Sequence, residues 1–375
     1  MIKNVYFDHA STTRLNSEVL DTYKELLATH YANSESLYDS GVKVKDLLTR
    51  SRKSIAQRLC VKENEIIFTS GASEANNLAI KGLLMSNPNK KHIITSRYEH
   101  SSVLEAIKQM QRLYDYQVTY LDILNDGKVD IEQLKNSIKD DTILVSIMWV
   151  NNEIGSINDI NTIKNIIKGY PKTYLHVDAV QALGKIAVDL KDIDLCSFSA
   201  HKVNGLKGSG ILYKKSNIQL EPLIIAGQQE YGIRGGTSNA LTNVVLAKTI
   251  RLALDNQEKY HKEQIELIDY LVTSLESIKE VIFNSPFNEI GIINISTNIK
   301  SEIMLNALNS KGICVSAIST CHSKKTTSHV LEAIGLDNDR IRNSLRISIN
   351  YTNSKEEIDY FIDSLKEVIN YYGRI

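Results

Sequence analysis

Two short apolar runs of this sequence end in side chains that could do chemistry together. Ser197–Ala200 is followed directly by His201 and Lys202, and a run that starts at Leu175 ends at Asp178. Lysine is strongly hydrated and is seldom buried without a partner, so an amine at the end of a core strand suggests a reactive group. Pyridoxal phosphate requires a Schiff-base lysine and a carboxylate for its pyridinium nitrogen. The pattern therefore predicts a site for that cofactor.

A phosphate site is one interpretation of the turn from Ser70 to Asn76, which joins a predicted strand to a predicted helix. Gly71 permits a tight turn, Ser73 could cap the helix, and a helix N-terminus presents free N–H groups to an anion. An ordinary turn between a strand and a helix is the simpler interpretation when this motif is taken alone.

Further polar side chains follow predicted strands and should face the same side of the sheet. His100 lies between a strand and a helix, where an imidazole could stack on a planar cofactor and move protons, or could simply begin the helix. Asn152 follows the strongest predicted strand, and its amide could bond a ring oxygen or belong to a plain loop. Gln181 follows Asp178, which could itself be a helix cap.

Arg346 alternates with apolar neighbours in Ser344–Ile349, so its guanidinium points to one face of a predicted strand. A structural ion pair and a bidentate clamp for a substrate carboxylate are both compatible with that position.

Cys321 lies in a polar segment without periodicity, flanked by histidine and lysine side chains that can lower the pKa of a thiol. It is the best nucleophile among the cysteines. Cys60, Cys196 and Cys314 lie in apolar periodic segments, which favours a packing role. The absence of a CxxC pair argues against a zinc site or a disulfide framework.

Composition limits the partners of the chain. It has 375 residues with 44 basic and 44 acidic side chains, so no field for nucleic acid or a membrane surface is implied. No apolar stretch reaches the length of a membrane span, and the N-terminus lacks the apolar core of a signal peptide. We expect a cytoplasmic protein.

Strand and helix patterns alternate from about Glu65 to Lys214, which predicts an α/β fold with a mostly parallel central sheet. Beyond Thr237 the pattern predicts long helices and then a smaller α+β unit. We expect a large cofactor-binding domain at residues 14–255, with residues 1–13 and 256–375 forming the small domain that carries the Cys321 segment.

Taken in order, these motifs resemble the cysteine desulfurases of the NifS/IscS group, which are class-V, fold-type I pyridoxal-phosphate enzymes. The likeness covers nearly the whole chain. Besides the motifs above it includes 6–13, 68–82, 92–96, 142–155 and 234–237. The sequence differs from the family pattern at Asn33–Ser36 and at Ala317–Cys321, where the family often has other residues.

The resemblance implies roles for the residues around the cofactor. Lys202 would form the Schiff base, Asp178 would pair with the pyridine nitrogen, and His100 would stack on the ring. Asn152 and Gln181 would lie beside the ring and its phenolic oxygen.

The resemblance also implies a phosphate cup and a dimer. Ala72, Ser73, Ser199 and His201 would hold the phosphate, and Thr237 would reach in from the other subunit of a homodimer.

The reaction implied is removal of sulfur from L-cysteine. Arg346 would bind the substrate carboxylate, with Asn152 beside it, and Cys321 would take the sulfur as a persulfide and leave L-alanine. The persulfide would pass to an acceptor protein for Fe–S cluster assembly or tRNA thiolation.

Other functions stay open at this point. A related lyase of the selenocysteine lyase or kynureninase type would not need the thiol of Cys321. A sulfur carrier or scaffold would not need Lys202, Asp178, His100 and Arg346 as a set. A dinucleotide-binding fold is weaker, because no GxGxxG follows an early strand.

Overall fold

A computed structural model describes residues 4–317 and 327–373 of the chain, so Cys321 lies outside the described residues. The strands, in chain order, are β1 (Val5–Tyr6), β2 (Ile66–Thr69), β3 (His92–Ser96), β4 (Gln117–Leu121), β5 (Thr142–Met148), β6 (Tyr174–Asp178), β7 (Leu195–Ser199), β8 (Gly210–Lys214), β9 (Ile282–Phe283), β10 (Ile292–Ser296), β11 (Ile313–Cys314) and β12 (Ser344–Ser348).

Helices cover and connect these strands. They are α1 (Ser17–Thr29), α2 (Asp39–Arg58), α3 (Ala72–Asn77), α4 (Leu83–Ser86), α5 (Ser101–Tyr114), α6 (Ile131–Ser137), α7 (Ile160–Ile167), α8 (Ala240–Asp255), α9 (Gln257–Glu276), α10 (Ser301–Ser310), α11 (His329–Ala333), α12 (Asn338–Arg342) and α13 (Lys355–Tyr372). A π-helical turn, Leu78–Gly82, joins α3 to α4. None of the helices in 4–317 and 327–373 is both long enough and apolar enough to cross a membrane.

The larger sheet has seven strands in the order β2-β8-β7-β6-β5-β3-β4. The neighbours from β4 through β3, β5 and β6 to β7 run parallel, and β8 is antiparallel to both β2 and β7. The predicted mostly parallel α/β architecture is confirmed. Because the carboxyl ends of parallel strands meet at one edge, the loops after β3, β5, β6 and β7 open on the same side of the sheet.

The start of the chain packs with its end. Strand β1 pairs in parallel with β11, and β12, β10 and β9 form an antiparallel sheet beside them. Val5 and Phe7 are fully buried in a hydrophobic cluster that also holds Leu271 and Phe361. The division at residues 14–255 stays a prediction, because a second buried cluster extends from the large sheet to Ile292 and Leu331.

Local sequence explains the helix that follows β3. Its buried side chains, Val103, Ala106, Ile107 and Met110, recur at helical spacing and form one apolar face. His100 caps its first turn by accepting a hydrogen bond from a backbone N–H. The helix therefore begins directly after the residue that sequence reasoning selected for chemistry.

Two of the cysteines assigned to packing are in fact at the surface. Cys196 on β7 is buried, but Cys60 and Cys314 are exposed. Cys60 has a φ of 55° just beyond the end of α2, and Cys314 lies on a two-residue strand. The apolar pattern of the neighbouring residues therefore did not show whether a cysteine at the end of a helix or strand is buried.

A buried ion pair ties α2 to the sheet. The Arg52 guanidinium donates to both carboxylate oxygens of Glu230 at 2.8 Å, and the Phe68 N–H donates to the same carboxylate at 2.9 Å. The guanidinium also lies over the Phe68 ring. Arg52 and Glu230 are each only 9% exposed, so the buried charge of each residue is stabilised by the opposite charge of the other.

We expect Arg52→Met to lower the free energy of unfolding by about 3–5 kcal/mol, because it leaves a buried carboxylate without a counter-charge. Urea denaturation followed by circular dichroism measures the change. Arg58→Met is the matched control: its partner Asp255 has a half-exposed side chain, so its loss should cost at most about 1 kcal/mol. Equal costs for the two variants would contradict the assignment.

Candidate active site

A cavity of about 1230 Å³ opens at the carboxyl edge of the parallel strands. The predicted site residues on its wall are Ala72, Ser73, His100, Asn152, Asp178, Gln181, Ser199, His201, Lys202 and Arg346. Thr237 is exposed and lies outside the lining of this cavity, and Cys321 lies outside the described residues. The fold thus brings together side chains that are far apart in the sequence, from Ala72 to Arg346. Their individual roles stay predictions.

Lys202 ends a short 3-10 turn directly after β7. Its Nζ donates to the backbone oxygens of Ala10 at 2.6 Å and Ser11 at 2.7 Å. Burial, together with the nearby Arg346 charge, lowers the pKa of Lys202 to about 8, although Asp8 and Asp178 oppose the shift. A substantial fraction of this amine is therefore neutral, and nucleophilic, at mildly alkaline pH.

Asp178 is the last residue of β6 and is 5% exposed. Its Oδ1 accepts a hydrogen bond from the Val180 N–H at 3.1 Å, and its Oδ2 accepts one from Asn76 Nδ2 at 2.8 Å. No ion pair joins Asp178 to Lys202 within the described part of the chain. The carboxylate is held by neutral donors and keeps capacity for a further partner.

The orientation of the Gln181 amide is fixed from both ends. Its Nε2 donates to Ala10 O at 2.9 Å, and its Oε1 accepts from Lys185 Nζ at 2.6 Å. Burial, with the charges of Lys202 and Arg346, lowers the pKa of Lys185 to about 7. The Ala10 carbonyl can only accept, so it takes the NH₂ group of Gln181, and the Gln181 oxygen then faces Lys185.

His100 contacts its own helix through one ring nitrogen. Nδ1 accepts from the Ser102 N–H at 3.2 Å and lies 2.8 Å from Ser102 Oγ. Burial lowers the pKa of His100, and the neighbouring Asp178 charge acts in the opposite direction. The residue is both a helix cap and part of the cavity wall, and its role in stacking on a cofactor and moving protons stays a prediction.

The predicted phosphate turn folds differently from expectation in one respect. Gly71, with a φ of 149°, is the N-cap of α3, and no side chain caps that helix. The proposed capping by Ser73 is therefore wrong, because Ser73 is already the second residue of the helix. Glu74 closes the turn instead, accepting from the Ser70 N–H at 2.8 Å. A side chain at Gly210 would come within 2.7 Å of Gly71 Cα.

Arg346 lies on β12 and reaches the cavity from the second sheet. It donates to Asn152 O at 2.9 Å, to Asp8 Oδ1 at 2.8 Å and to Ser11 Oγ at 2.5 Å. The structural ion pair considered from the sequence is thus present. These contacts use both Nη2 hydrogens and one Nη1 hydrogen, and Nε is buried without a hydrogen-bond partner in the described part of the chain. One Nη1 hydrogen is therefore left for a carboxylate.

Sequence reasoning missed several polar residues around this wall. Asn76 bridges Asp178 and Ser102, and Ser328 donates to buried Glu153 at 2.5 Å. His329 contacts Glu99 O at 2.9 Å. Their signal was weak, because each acts through a partner far away in sequence, although Asn76 and Glu153 stood within motifs already selected.

The comparisons with known proteins agree with this geometry. The family model "Aminotransferase class-V" matches residues 5–361. The chain belongs to the class-V aminotransferase family.

Similar members of this family bear closely related names. A protein of Clostridium botulinum named "Cysteine desulfurase IscS" is 39% identical over 98% of this chain and 95% of its own length. A Methanosarcina thermophila protein with the same name is 38% identical over 98% of this chain and 92% of its own. A solved "NifS-like protein" superimposes with a TM-score of 0.92 at 34% identity, covering 98% of this chain and 100% of that one.

A fourth relative was solved with a ligand. The structure described as "SspA in complex with cysteine" has a TM-score of 0.81 at 32% identity, and the match covers 94% of this chain and all of that one.

Class-V aminotransferases depend on pyridoxal 5'-phosphate, and the residues of this cavity fit that cofactor. The group needs an amine that can lose its proton, and Lys202 has a lowered pKa. It needs a carboxylate not already neutralised by a cation, and Asp178 is bonded only by amide N–H groups in the described structure. It needs small residues where its phosphate enters, and the Gly71–Ala72–Ser73 turn supplies them beside Ser199.

We expect competitive acetylation of the cofactor-free protein, read by mass spectrometry, to give Lys202 a labelling midpoint near pH 8, while ordinary exposed lysines label with a midpoint near about 10.4. Arg346→Gln should raise the midpoint, because the positive charge of Arg346 lowers the pKa of Lys202. Arg346→Lys is the control that keeps a charge. A midpoint at the ordinary lysine value would contradict the assigned burial.

Proposed function

We propose that this protein is a pyridoxal-phosphate-dependent cysteine desulfurase. The observation that carries the proposal is the meeting of the Lys202 amine, the Asp178 carboxylate and the Arg346 guanidinium on one cavity wall. Relatives named cysteine desulfurase IscS over nearly the full chain support it. A structure of a relative in complex with cysteine supports the substrate.

Each part of the cofactor would be bound by a different residue of this chain. Lys202 would bind the aldehyde carbon, Asp178 the pyridine nitrogen, and His100 one face of the ring. When bound, the cofactor withdraws electrons from the α-carbon of the amino acid. The NH₂ group of Gln181 and the amide of Asn152 would lie beside the ring, where N–H donors stabilise a phenolic oxygen.

The phosphate would be bound by the turn and by the residues after β7. The residues that line this part of the cavity include Ala72, Ser73, Ser199 and His201. Burial and the charges of Lys202 and Lys207 lower the pKa of His201 to about 4, so it would act as a neutral donor.

Substrate binding and sulfur transfer would use the remaining groups. Arg346 would bind the carboxylate of L-cysteine through the Nη1 hydrogen that its contacts with Asn152, Asp8 and Ser11 leave free. The Cys321 thiolate would attack the substrate sulfur, so that an S–S bond forms, the C–S bond breaks, and the carbon receives a proton. L-cysteine and the enzyme thiol thus give L-alanine and an enzyme persulfide, which balances all atoms.

The partners belong to the same proposal. The persulfide of Cys321 would pass to an acceptor protein, either a scaffold for Fe–S clusters or an enzyme of tRNA thiolation. Thr237 is exposed and does not line the cavity of its own chain, which supports the prediction that it completes a partner subunit's site in a homodimer. We place the protein in the cytoplasm.

The purified protein with pyridoxal phosphate should convert L-cysteine to alanine with release of sulfide under a reductant. Cys321→Ala should lower sulfide release by roughly 10²-fold or more while the bound cofactor's absorbance is retained, because only the nucleophile is lost. Cys60→Ser and Cys314→Ser are controls, since both residues are exposed thiols that do not line the cavity.

Two results would contradict the proposal at different points. A protein that binds no cofactor would contradict the cofactor site. If the Cys321→Ala variant forms alanine and sulfide as fast as the parent, the cofactor site stands, but Cys321 is not the nucleophile.

A further inference from the structure

Four polar side chains form a hydrogen-bonded chain from the floor of the cavity to the imidazole on its wall. Asn76 Nδ2 donates to Asp178 Oδ2 and is also 2.8 Å from Ser102 Oγ, and Ser102 Oγ is 2.8 Å from His100 Nδ1. Asn76 is completely buried and Asp178 nearly so, whereas His100 is exposed to the cavity. The chain therefore joins a buried carboxylate to a group that a ligand could touch.

The charge of Asp178 fixes the direction of every bond in this chain. An ionised carboxylate can only accept hydrogen bonds, so the Asn76 amide must turn its NH₂ group toward Asp178. The same NH₂ group then donates its second hydrogen to Ser102 Oγ. The opposite amide orientation would set two oxygens against each other, and Asn76 Oδ1 remains without a hydrogen-bond partner in the described part of the chain.

The proton of the Ser102 hydroxyl follows from this direction. Ser102 Oγ accepts from Asn76, so its own hydrogen is free to point at His100 Nδ1. The backbone N–H of Ser102 donates to the same ring nitrogen at 3.2 Å. Two donors directed at Nδ1 exclude a proton there, and a neutral imidazole must then carry its proton on Nε2.

We propose that Asn76 and Ser102 are positioning residues that transmit the orientation set by Asp178 to His100 and hold its imidazole in the Nε2–H tautomer. This inference rests on the proposed function, in which His100 lies against one face of the cofactor ring. His100 then starts the reaction as a proton donor at Nε2. It can accept a proton there only after the one it holds has been given up.

The tautomer is measured directly on the cofactor-loaded protein labelled with ¹⁵N-histidine. Long-range ¹H–¹⁵N spectra distinguish a protonated Nε2 from a protonated Nδ1, and His100→Asn assigns the resonance by its loss. We expect the parent to show the Nε2–H form. Ser102→Ala and Asn76→Leu should shift the ratio of the two tautomers by roughly five- to tenfold toward Nδ1–H, the change expected when one net hydrogen bond is lost.

Matched variants separate this role from a general packing role. Ser102→Thr keeps the hydroxyl and should restore the parent tautomer. Asn77→Ala is the control on the same helix, because the side chain of Asn77 donates to the backbone oxygens of Ser73 and Ser102 and makes no bond to Asp178 or to a side chain of this network. Should Asn76→Leu fail to fold, the comparison of Ser102→Ala with Ser102→Thr decides alone.

The outcomes distinguish this inference from the proposed function. A parent protein with Nδ1–H, or with both ring nitrogens protonated at neutral pH, overturns the inference even if it releases sulfide. An unchanged tautomer in Ser102→Ala and Asn76→Leu also overturns it. A parent that shows the Nε2–H form and the predicted shifts, yet yields no alanine from L-cysteine, supports the chain of bonds and contradicts the function.

Discussion

The short segment from Asp8 to Ser11 determines the geometry of the cavity. Ala10 O accepts from both Lys202 and Gln181, and Ser11 contributes its backbone oxygen to Lys202 and its hydroxyl to Arg346. The segment is itself fixed, since its backbone bonds to Ser348, the last residue of the strand that carries Arg346. The Lys202 amine and the Arg346 guanidinium come from different sheets, and both bond to the four-residue segment from Asp8 to Ser11. This segment therefore fixes the distance between the two groups.

This arrangement also explains how two cations can lie in one cavity. Lys202 and Arg346 repel each other, and the positive charge of Arg346 lowers the pKa of Lys202. Backbone oxygens offer the amine an acceptor without a full negative charge, so they position it while leaving its pKa low. A carboxylate in that place would stabilise the ammonium form and reduce its reactivity.

Much of this molecule could be predicted from its sequence, for a physical reason. Apolar strands that end in polar residues are recognisable, and the parallel sheet then brings His100, Asn152, Asp178 and Lys202 to one edge without further information. The antiparallel direction of β8 was not predictable, because it depends on how β8 pairs with β2 and β7. The surface position of Cys314 was not predictable either, because it depends on the pairing of the two-residue strand β11 with β1. The capping by Ser73 was wrong because Gly71 already occupies the cap position.

Contacts made by backbone atoms or by distant neutral side chains were the least predictable part. Nothing in the residue types of Ala10 or Ser11 indicates that their carbonyl oxygens hold Lys202, since every residue has such an oxygen. Asn76 and Ser102 are 26 positions apart, and their bond forms because α3 and α5 pack together beneath the cavity. Helix α3 therefore contributes twice to the site: its first turn lines the cavity where we propose that the phosphate binds, and its last turn carries the Asn76 amide that bonds to Asp178 and Ser102. Under these proposals, a shift of this one helix would alter the binding of the phosphate and the tautomer of His100 together.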